Sequence, residues 1–125
     1  MIVGIGTDIV RVARITDVLH RHGERMVKRI LTPAEQEMYK THSDQGRFLA
    51  KRWAAKEAAA KALGTGIRGA VNFQSFEVHN DDLGKPVLTC TSGAAERLQA
   101  LGGATCWLTL SDEAEYAVAF VVLSA

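Results

Sequence analysis

Apolar residues recur along the chain with two different periods, which separate a mainly helical first half from a strand-rich second half. A run rich in β-branched residues at positions 2–10 predicts a buried strand. Helical spacing predicts helices at residues 12–22, about 33–42 and 47–63, and positions 26–31 form a further short apolar stretch. Apolar runs separated by turn residues predict strands at 73–79, 86–91, 105–110 and 115–123, with one short helix at 92–101.

Capping residues support the bounds of these helices. Thr32, followed by Pro33 and Glu35, is typical of a helix N-terminus. Ser92 is placed to cap the short late helix. Gly64 directly follows the alanine-rich stretch at 47–63, so the longest helix is predicted to end there.

The predicted elements follow the order strand, helices, two strands, helix and two strands. Because the helices cluster early and the late strands are joined by short turns, the sequence predicts an α+β fold with a mainly antiparallel sheet packed against the long central helix. With 125 residues, the chain is predicted to form a single domain over residues 1–125. That is small for an enzyme that encloses a large substrate, so a site shared between subunits is considered from the start.

The composition excludes several classes of protein. Fifteen Lys and Arg against 14 Asp and Glu give a net charge of +1, which does not indicate nucleic-acid binding. No apolar run is long enough to span a membrane, and the first residues lack the pattern of a signal peptide, so a cytoplasmic protein is expected. Cys90 and Cys106 lack the spacing of a metal site and are predicted to be buried small hydrophobic residues in a reducing compartment.

A carboxylate interrupts the first predicted strand. Asp8 lies within an apolar run, where the burial of a charge is costly. Gly4 and Gly6 carry no side chains, which permits the close approach of another backbone or a ligand. Two interpretations are open: Asp8 lies at a sheet edge or caps the next helix, or it belongs to a functional site.

The long helix carries a second carboxylate on a face of mixed chemistry. Trp53, Glu57 and Lys61 follow one another at intervals of four residues and share one helix face. Glu57 and Lys61 alone are an ordinary stabilising pair, whereas Trp53 indicates that the face is at least partly covered. On a covered face both charges need partners, and Asp8 with Glu57 would offer hard oxygen ligands to Mg²⁺ beside a phosphate.

These features together resemble a known family, the holo-acyl-carrier-protein synthases, which are the small bacterial phosphopantetheinyl transferases. The resemblance implies transfer of the phosphopantetheine arm of coenzyme A to a serine of apo acyl carrier protein, in fatty acid biosynthesis, with release of adenosine 3′,5′-bisphosphate. The residues that carry it are Gly4, Gly6 and Asp8, then Trp53, Lys56, Glu57 and Lys61, then Gly64, Gly66, Gly84, Lys85 and Pro86, and finally Ser111.

The resemblance also implies roles for individual residues. Asp8 and Glu57 correspond to the ligands of Mg²⁺, and Lys61 corresponds to the lysine beside the pyrophosphate. The base that deprotonates the serine is either Glu57 itself or a hydroxide on the metal. The contacts with coenzyme A that the resemblance implies are Arg52, Lys61, Gly64, Gly66, Lys85, Pro86 and Ser111.

Partners follow from the same resemblance. Arg14 and Arg21 match the basic first helix that docks an acidic acyl carrier protein, and the family implies a homotrimer whose sites lie between neighbouring subunits. One residue departs from the pattern: Asp112 stands where many members have a histidine that contacts the nucleotide phosphate. A carboxylate there would repel the phosphate unless it turns away, so Asp112 is predicted to lie outside the site.

Two other functions are compatible with the residues alone. A non-catalytic module would use the basic first helix to bind an acidic protein, without any need for Mg²⁺. A different metal-dependent phosphotransferase would bind a nucleoside triphosphate in place of coenzyme A.

Overall fold

The computed structural model describes residues 1–125 and contains five strands, five α-helices and one short 3₁₀ helix at Phe73–Ser75. In chain order the elements are β1 (Ile2–Arg11), α1 (Val12–His22), α2 (Glu24–Ile30), α3 (Pro33–Thr41), α4 (Gln45–Ala62), β2 (Phe76–Asn80), β3 (Pro86–Cys90), α5 (Ser92–Ala100), β4 (Thr105–Asp112) and β5 (Tyr116–Ser124).

The strands form two antiparallel sheets. One has three strands in the order β1-β5-β4, and the other is the β2-β3 hairpin. The long helix α4 packs against β1 and β5 and supplies much of the buried core through its alanines. The predicted α+β fold, with antiparallel strands against a central helix, is therefore confirmed. None of the helices combines the length and the hydropathy that crossing a bilayer requires.

The structure differs from the sequence prediction at three places. The apolar stretch at 26–31, to which no element was assigned, lies largely in helix α2. The strand predicted from residue 73 begins only at Phe76, because the preceding three residues form a 3₁₀ turn. Ser92 does not cap α5: Thr91 occupies the cap position, no side chain makes a capping hydrogen bond, and Ser92 has φ 49°.

Strand β1 and helix α4 are in direct backbone contact. A Cβ atom at Gly6 would overlap the carbonyl oxygen of Ala58, and one at Gly4 would overlap that of Ala62. The space predicted at the two glycines is thus filled by the helix backbone. Because side chains alternate along a strand, Asp8 points from the same face of β1 toward α4.

The three-stranded sheet has one covered and one uncovered face. Its uncovered face, which we name the open sheet face, carries Ile5, Ile9, Trp107 and Phe120, with exposed fractions of 61%, 62%, 51% and 43%. Ile5 and Trp107 both lie opposite Val122 of β5, so the exposed residues form one continuous apolar surface. Such a surface on a small chain is typical of an interaction site.

Candidate active site

Three of the predicted site residues meet where β1 crosses α4. The Nζ atom of Lys61 donates hydrogen bonds to Oδ1 of Asp8 at 3.0 Å and to the carbonyl oxygen of Thr7 at 3.1 Å. The Asp8 side chain is 15% exposed, and Glu57 is half-buried beside it. We name Asp8, Glu57 and Lys61 the carboxylate cluster.

The charges of these neighbouring groups act on the pKa of Glu57. Burial raises the pKa of Glu57 above its ordinary value of 4.5, and the charge of Asp8 raises it further. Lys61 and Arg14 act on the same pKa in the opposite direction. Arg14 of the first helix therefore lies within electrostatic reach of the cluster.

We expect the Glu57 carboxyl of the metal-free chain to titrate above 4.5, and we expect the Asp8→Asn variant to lower that pKa. Burial remains in the variant, but the second cause of the shift is lost. Since the folded chain binds this proton more tightly than the unfolded chain, the contribution of Glu57 to the free energy of unfolding falls as the pH rises from 4.5 through the folded pKa, and then levels off. Carboxyl ¹³C NMR measures the pKa, and an unchanged value in Asp8→Asn would contradict this electrostatic coupling.

The structure decides between the simpler interpretations of these residues. Lys61 forms its ion pair with Asp8 and not with Glu57, so the ordinary helix pair is absent. Strand β1 is an edge strand, but Asp8 faces α4, and no side chain caps helix α1. Asp8 is therefore part of a polar cluster.

The two carboxylates fit a hard divalent cation. Asp8 disfavours the ionisation of Glu57, and a cation between the two would relieve that repulsion. No group of three or more His, Cys, Asp or Glu side chains is arranged to hold a metal. Water and a substrate phosphate would complete the ligand shell, which is the coordination that Mg²⁺ favours.

A second group of predicted residues lines a cavity near the start of α4. Its volume is about 420 Å³, and it lies between α3, α4, the β2-β3 hairpin and β4. Its cations are Arg47, Lys51 and Arg52, and the hairpin contributes Gly84 and Pro86. This cationic cavity suits a ligand with several phosphates.

Arg52 is held at the wall of this cavity by aromatic and ionic contacts. Its guanidinium lies 4.4 Å from the ring centroid of Phe48, and its Nε is 3.5 Å from Oε2 of the buried Glu35. The side chain is only 6% exposed, and its buried Nε makes no hydrogen bond beyond the ionic contact with Glu35. Glu35 and Phe48 therefore hold the Arg52 guanidinium in place at the cavity wall.

Lys56 is one of the five cations on the long helix, and it is unavailable to a substrate. Its Nζ is fully buried and donates to Oε1 of Glu35 at 2.6 Å and to the carbonyl oxygen of Ile30 at 2.7 Å. Glu35 also accepts hydrogen bonds from the backbone of Thr32 and Val78. The sequence shows Glu35 as a capping residue, and nothing in its spacing reveals this second partner.

Asp112 faces the cationic cavity from β4. Its carboxylate oxygens lie 3.1 Å from Nη1 of Arg47 and 3.5 Å from Nζ of Lys51. The side chain is thus turned toward α4 and neutralises part of the charge of two cations. Asp112 is therefore not turned away from the cations of this cavity, and its predicted place outside the site holds only where the cavity is not the nucleotide site.

The remaining predicted contacts lie at the edges of these two groups. Gly64 and Gly66 follow α4 with φ of 80° and 67°, which favours glycine at both positions. The Nζ of Lys85 lies 5.7 Å from the ring centroid of Trp107. Ser111 is exposed and lies on the same face of β4 as Trp107. That face is opposite to the one that packs toward α4 and Arg52.

The first two helices form a basic surface beside the carboxylate cluster. Arg14 and Arg21 are exposed on α1, as predicted. A groove of about 360 Å³ between α1, α2 and α4 adds Arg25 and Arg29, together with apolar side chains and Trp53. The sequence indicated the local positive charge but not this groove, because its walls come from three helices.

Comparisons with known proteins agree on one family. Residues 4–121 match the family model of the 4′-phosphopantetheinyl transferase superfamily. The holo-[acyl-carrier-protein] synthase of Photorhabdus laumondii is 56% identical over 122 residues, which cover 98% of this chain and 97% of that protein.

Solved structures give the same result. The crystal structure of holo-[acyl-carrier-protein] synthase from Neisseria meningitidis aligns with a TM-score of 0.92 at 44% identity, covering 100% of both chains. The enzyme from Bacillus anthracis, solved in complex with CoA (3′,5′-ADP), aligns with a TM-score of 0.85 at 41% identity, covering 100% of this chain and 99% of that one.

The fold thus defines a phosphopantetheinyl transferase. Within that superfamily, the chain belongs to the holo-[acyl-carrier-protein] synthases, a family of transferase enzymes. The resemblance found in the sequence is therefore confirmed.

Proposed function

We propose that the chain transfers the phosphopantetheine arm of coenzyme A to a serine of an apo acyl carrier protein, with Mg²⁺ bound by Asp8 and Glu57. The products are the holo carrier protein and adenosine 3′,5′-bisphosphate, and the carrier is one of fatty acid biosynthesis. The observation that carries the proposal is the carboxylate cluster, in which Lys61 lies 3.0 Å from Asp8, next to a half-buried Glu57. The cytoplasmic location expected from the sequence stays a prediction.

Each residue of the cluster has a task in this reaction. Bound Mg²⁺ would supply a positive charge that screens the pyrophosphate oxygens of coenzyme A. The Lys61 side chain is 51% exposed and extends beyond the edge strand β1. It stabilises negative charge on the departing phosphate. Glu57, which lies half-buried beside Asp8, accepts the proton of the attacking serine hydroxyl.

The cationic cavity is proposed to bind the nucleotide part of coenzyme A. Arg47, Lys51 and Arg52 offer donors to its phosphates, and Gly84 and Pro86 form the opposite wall. When a phosphate enters, it would partly replace Asp112 as the ionic partner of Arg47 and Lys51, because the phosphate carries the larger negative charge.

The test is the mass of the carrier protein. The chain is incubated with coenzyme A, Mg²⁺ and an apo acyl carrier protein, and the carrier is expected to gain the mass of one phosphopantetheine. Binding of the carrier without a mass change would favour a non-catalytic module. Binding of a nucleoside triphosphate but not of coenzyme A would favour a different phosphotransferase.

We further propose a homotrimer in which each site combines two neighbouring chains. Arg52 and Glu57 are five residues apart on α4, so they point about 140° apart around the helix axis. One ligand therefore cannot easily contact both groups of a single chain. The open sheet face runs up to the cluster, since Phe120 and Lys61 line the same cleft. A second copy on that face brings its own cationic cavity to the cluster.

Placing a charge on the open sheet face should break this assembly. We expect Phe120→Glu to remain folded but to sediment as a monomer, because a buried unpaired carboxylate is incompatible with the interface. Its transfer activity should fall with the assembly, since each site loses one of its two halves. Analytical ultracentrifugation measures the mass.

The matched control is Leu83→Glu, at an apolar residue that is 96% exposed in the hairpin turn. This variant should keep the mass of the wild-type assembly. A monomeric Phe120→Glu with full activity would show that one chain contains the whole site.

The acidic carrier protein is proposed to dock on the basic surface of α1 and α2. Arg14 lies within electrostatic reach of Glu57, so a carrier bound there presents its serine close to the cluster. Arg21 lies in the last turn of the same helix, beside His20 and His22. Opposite charges across this surface would fix the orientation of the carrier.

Arg21→Ala should raise the KM for the carrier about two- to fivefold, which corresponds to the loss of one exposed charge pair. The affinity for coenzyme A should not change, and the difference in KM should shrink as salt is added. Arg68→Ala removes an exposed arginine away from α1 and serves as the control. Equal effects of the two variants on KM would contradict docking on α1.

A further inference from the structure

Two cysteines that the sequence separates by 15 residues lie against each other in the fold. The Sγ atoms of Cys90 and Cys106 are 3.2 Å apart, and both thiols are free. Both residues are half-buried, so they are less buried than their apolar surroundings predicted. Each residue therefore keeps part of its surface in contact with solvent.

The contact is a consequence of the strand registers. Cys90 is the last residue of β3 and lies opposite Phe76, whereas Cys106 lies near the start of β4, opposite Leu123. Both partners are fully buried, so each thiol is on the core side of its strand. The two sheets therefore bring the thiols together at their junction.

We propose that Cys90 and Cys106 form a reversible intramolecular disulfide that joins the β2-β3 hairpin to the three-stranded sheet. The bond requires the sulfurs to approach by roughly 1.2 Å, from 3.2 Å to the S–S length of about 2.0 Å. The inference is independent of the transfer reaction, because neither cysteine belongs to the carboxylate cluster or to the cationic cavity.

The reaction is a thiol–disulfide exchange with a small-molecule disulfide such as oxidised glutathione. The thiolate of Cys106 attacks one sulfur of that molecule, forms a mixed disulfide and releases one small thiolate. Cys90 then loses its proton and displaces the second small thiolate. The two protein thiols lose two electrons, the small disulfide gains them, and the two protons pass to the released thiolates.

The neighbouring thiol favours Cys106 as the attacking group. The hydrogen bond between the two thiols lowers the pKa of Cys106 and raises the pKa of Cys90. The bond would close a loop from residue 90 to 106 that contains helix α5. It would also fix two walls of the cationic cavity, since Pro86 lies on β3 and Leu110 on β4.

The test is to equilibrate the full chain with mixtures of reduced and oxidised glutathione, block the free thiols by alkylation and measure intact mass. We expect both thiols to become protected together, with loss of two hydrogen atoms and a cross-linked peptide pair that contains Cys90 and Cys106. The oxidised chain should unfold about 5–10 °C higher than the reduced chain, because the loop is closed in the unfolded state as well.

The variants Cys90→Ser and Cys106→Ser are the matched controls. Each should take up one glutathione in place of the internal bond and show no such rise in unfolding temperature. The proposal would be overturned if the wild type kept two free thiols in the oxidising mixtures. It would also be overturned if the wild type formed only glutathione adducts and disulfide-linked dimers. The number of alkylated thiols in the wild type tests the disulfide directly, even where a serine variant folds poorly.

Discussion

Asp8→Asn is expected to reduce phosphopantetheine transfer by about 10²- to 10⁴-fold at low Mg²⁺, with partial recovery as Mg²⁺ is raised. Asparagine keeps the size of the side chain and one ligand oxygen, but it removes the charge that attracts the metal. It also removes the ionic partner of Lys61, whose Nζ lies 3.0 Å from Asp8. The rate of carrier modification, measured by mass over a Mg²⁺ series, gives the result.

Glu57→Gln should lose as much activity, but without recovery at high Mg²⁺, because it removes the proton acceptor as well as a metal ligand. The matched control is Glu96→Gln, at an exposed carboxylate on α5. This variant should react at the wild-type rate. Full activity of both Asp8→Asn and Glu57→Gln would refute the assignment of the carboxylate cluster.

The second large effect is expected on stability. Glu35→Ala should lower the free energy of unfolding by about 3–5 kcal/mol, since it leaves the fully buried Lys56 without its ionic partner. It also leaves the backbone N–H groups of Thr32 and Val78 without their acceptor. Urea unfolding measures the change, which is a large part of the 5–15 kcal/mol typical of a domain.

Two further variants separate the causes of that loss. Glu37→Ala, on the same helix, breaks a solvent-exposed pair with Lys40 and should have little effect. The double replacement Glu35→Leu with Lys56→Met should recover only part of the stability, because it removes both charges of the Lys56–Glu35 pair but leaves the buried Arg52 without its contact to Glu35. A single Glu35→Ala as stable as Glu37→Ala would show that the buried pair contributes nothing.

The fold was predictable because its signals are local. Thr32 does cap α3, with Glu35 completing a capping box, and α4 ends within two residues of the predicted bound. The failures were also local in cause. Helix α2 is so short that the spacing of its apolar residues does not distinguish a helix from a strand. The predicted cap at Ser92 required an extended backbone, which this residue does not adopt.

The site was predictable only in part. Asp8 stands out because a carboxylate is rare in an apolar run, and Glu57 because it shares a helix face with Trp53; the structure places the two carboxylates together. The pairing of Lys56 with Glu35, and of Asp112 with Arg47, joins residues 21 and 65 positions apart. The periodicity of apolar residues within one element does not predict contacts between distant elements. These two pairs form only when α3, α4 and β4 pack together.

The glycines of β1 determine which positions of this sequence can change without moving the site. Gly4 and Gly6 let the strand rest directly on the backbone of α4 at Ala58 and Ala62. The separation of Asp8 from Glu57 is therefore set by main-chain atoms, which do not change when side chains are replaced. Sequence drift in the surrounding core can proceed without moving the two carboxylates, whereas a single added methyl group on either glycine would push the strand off the helix.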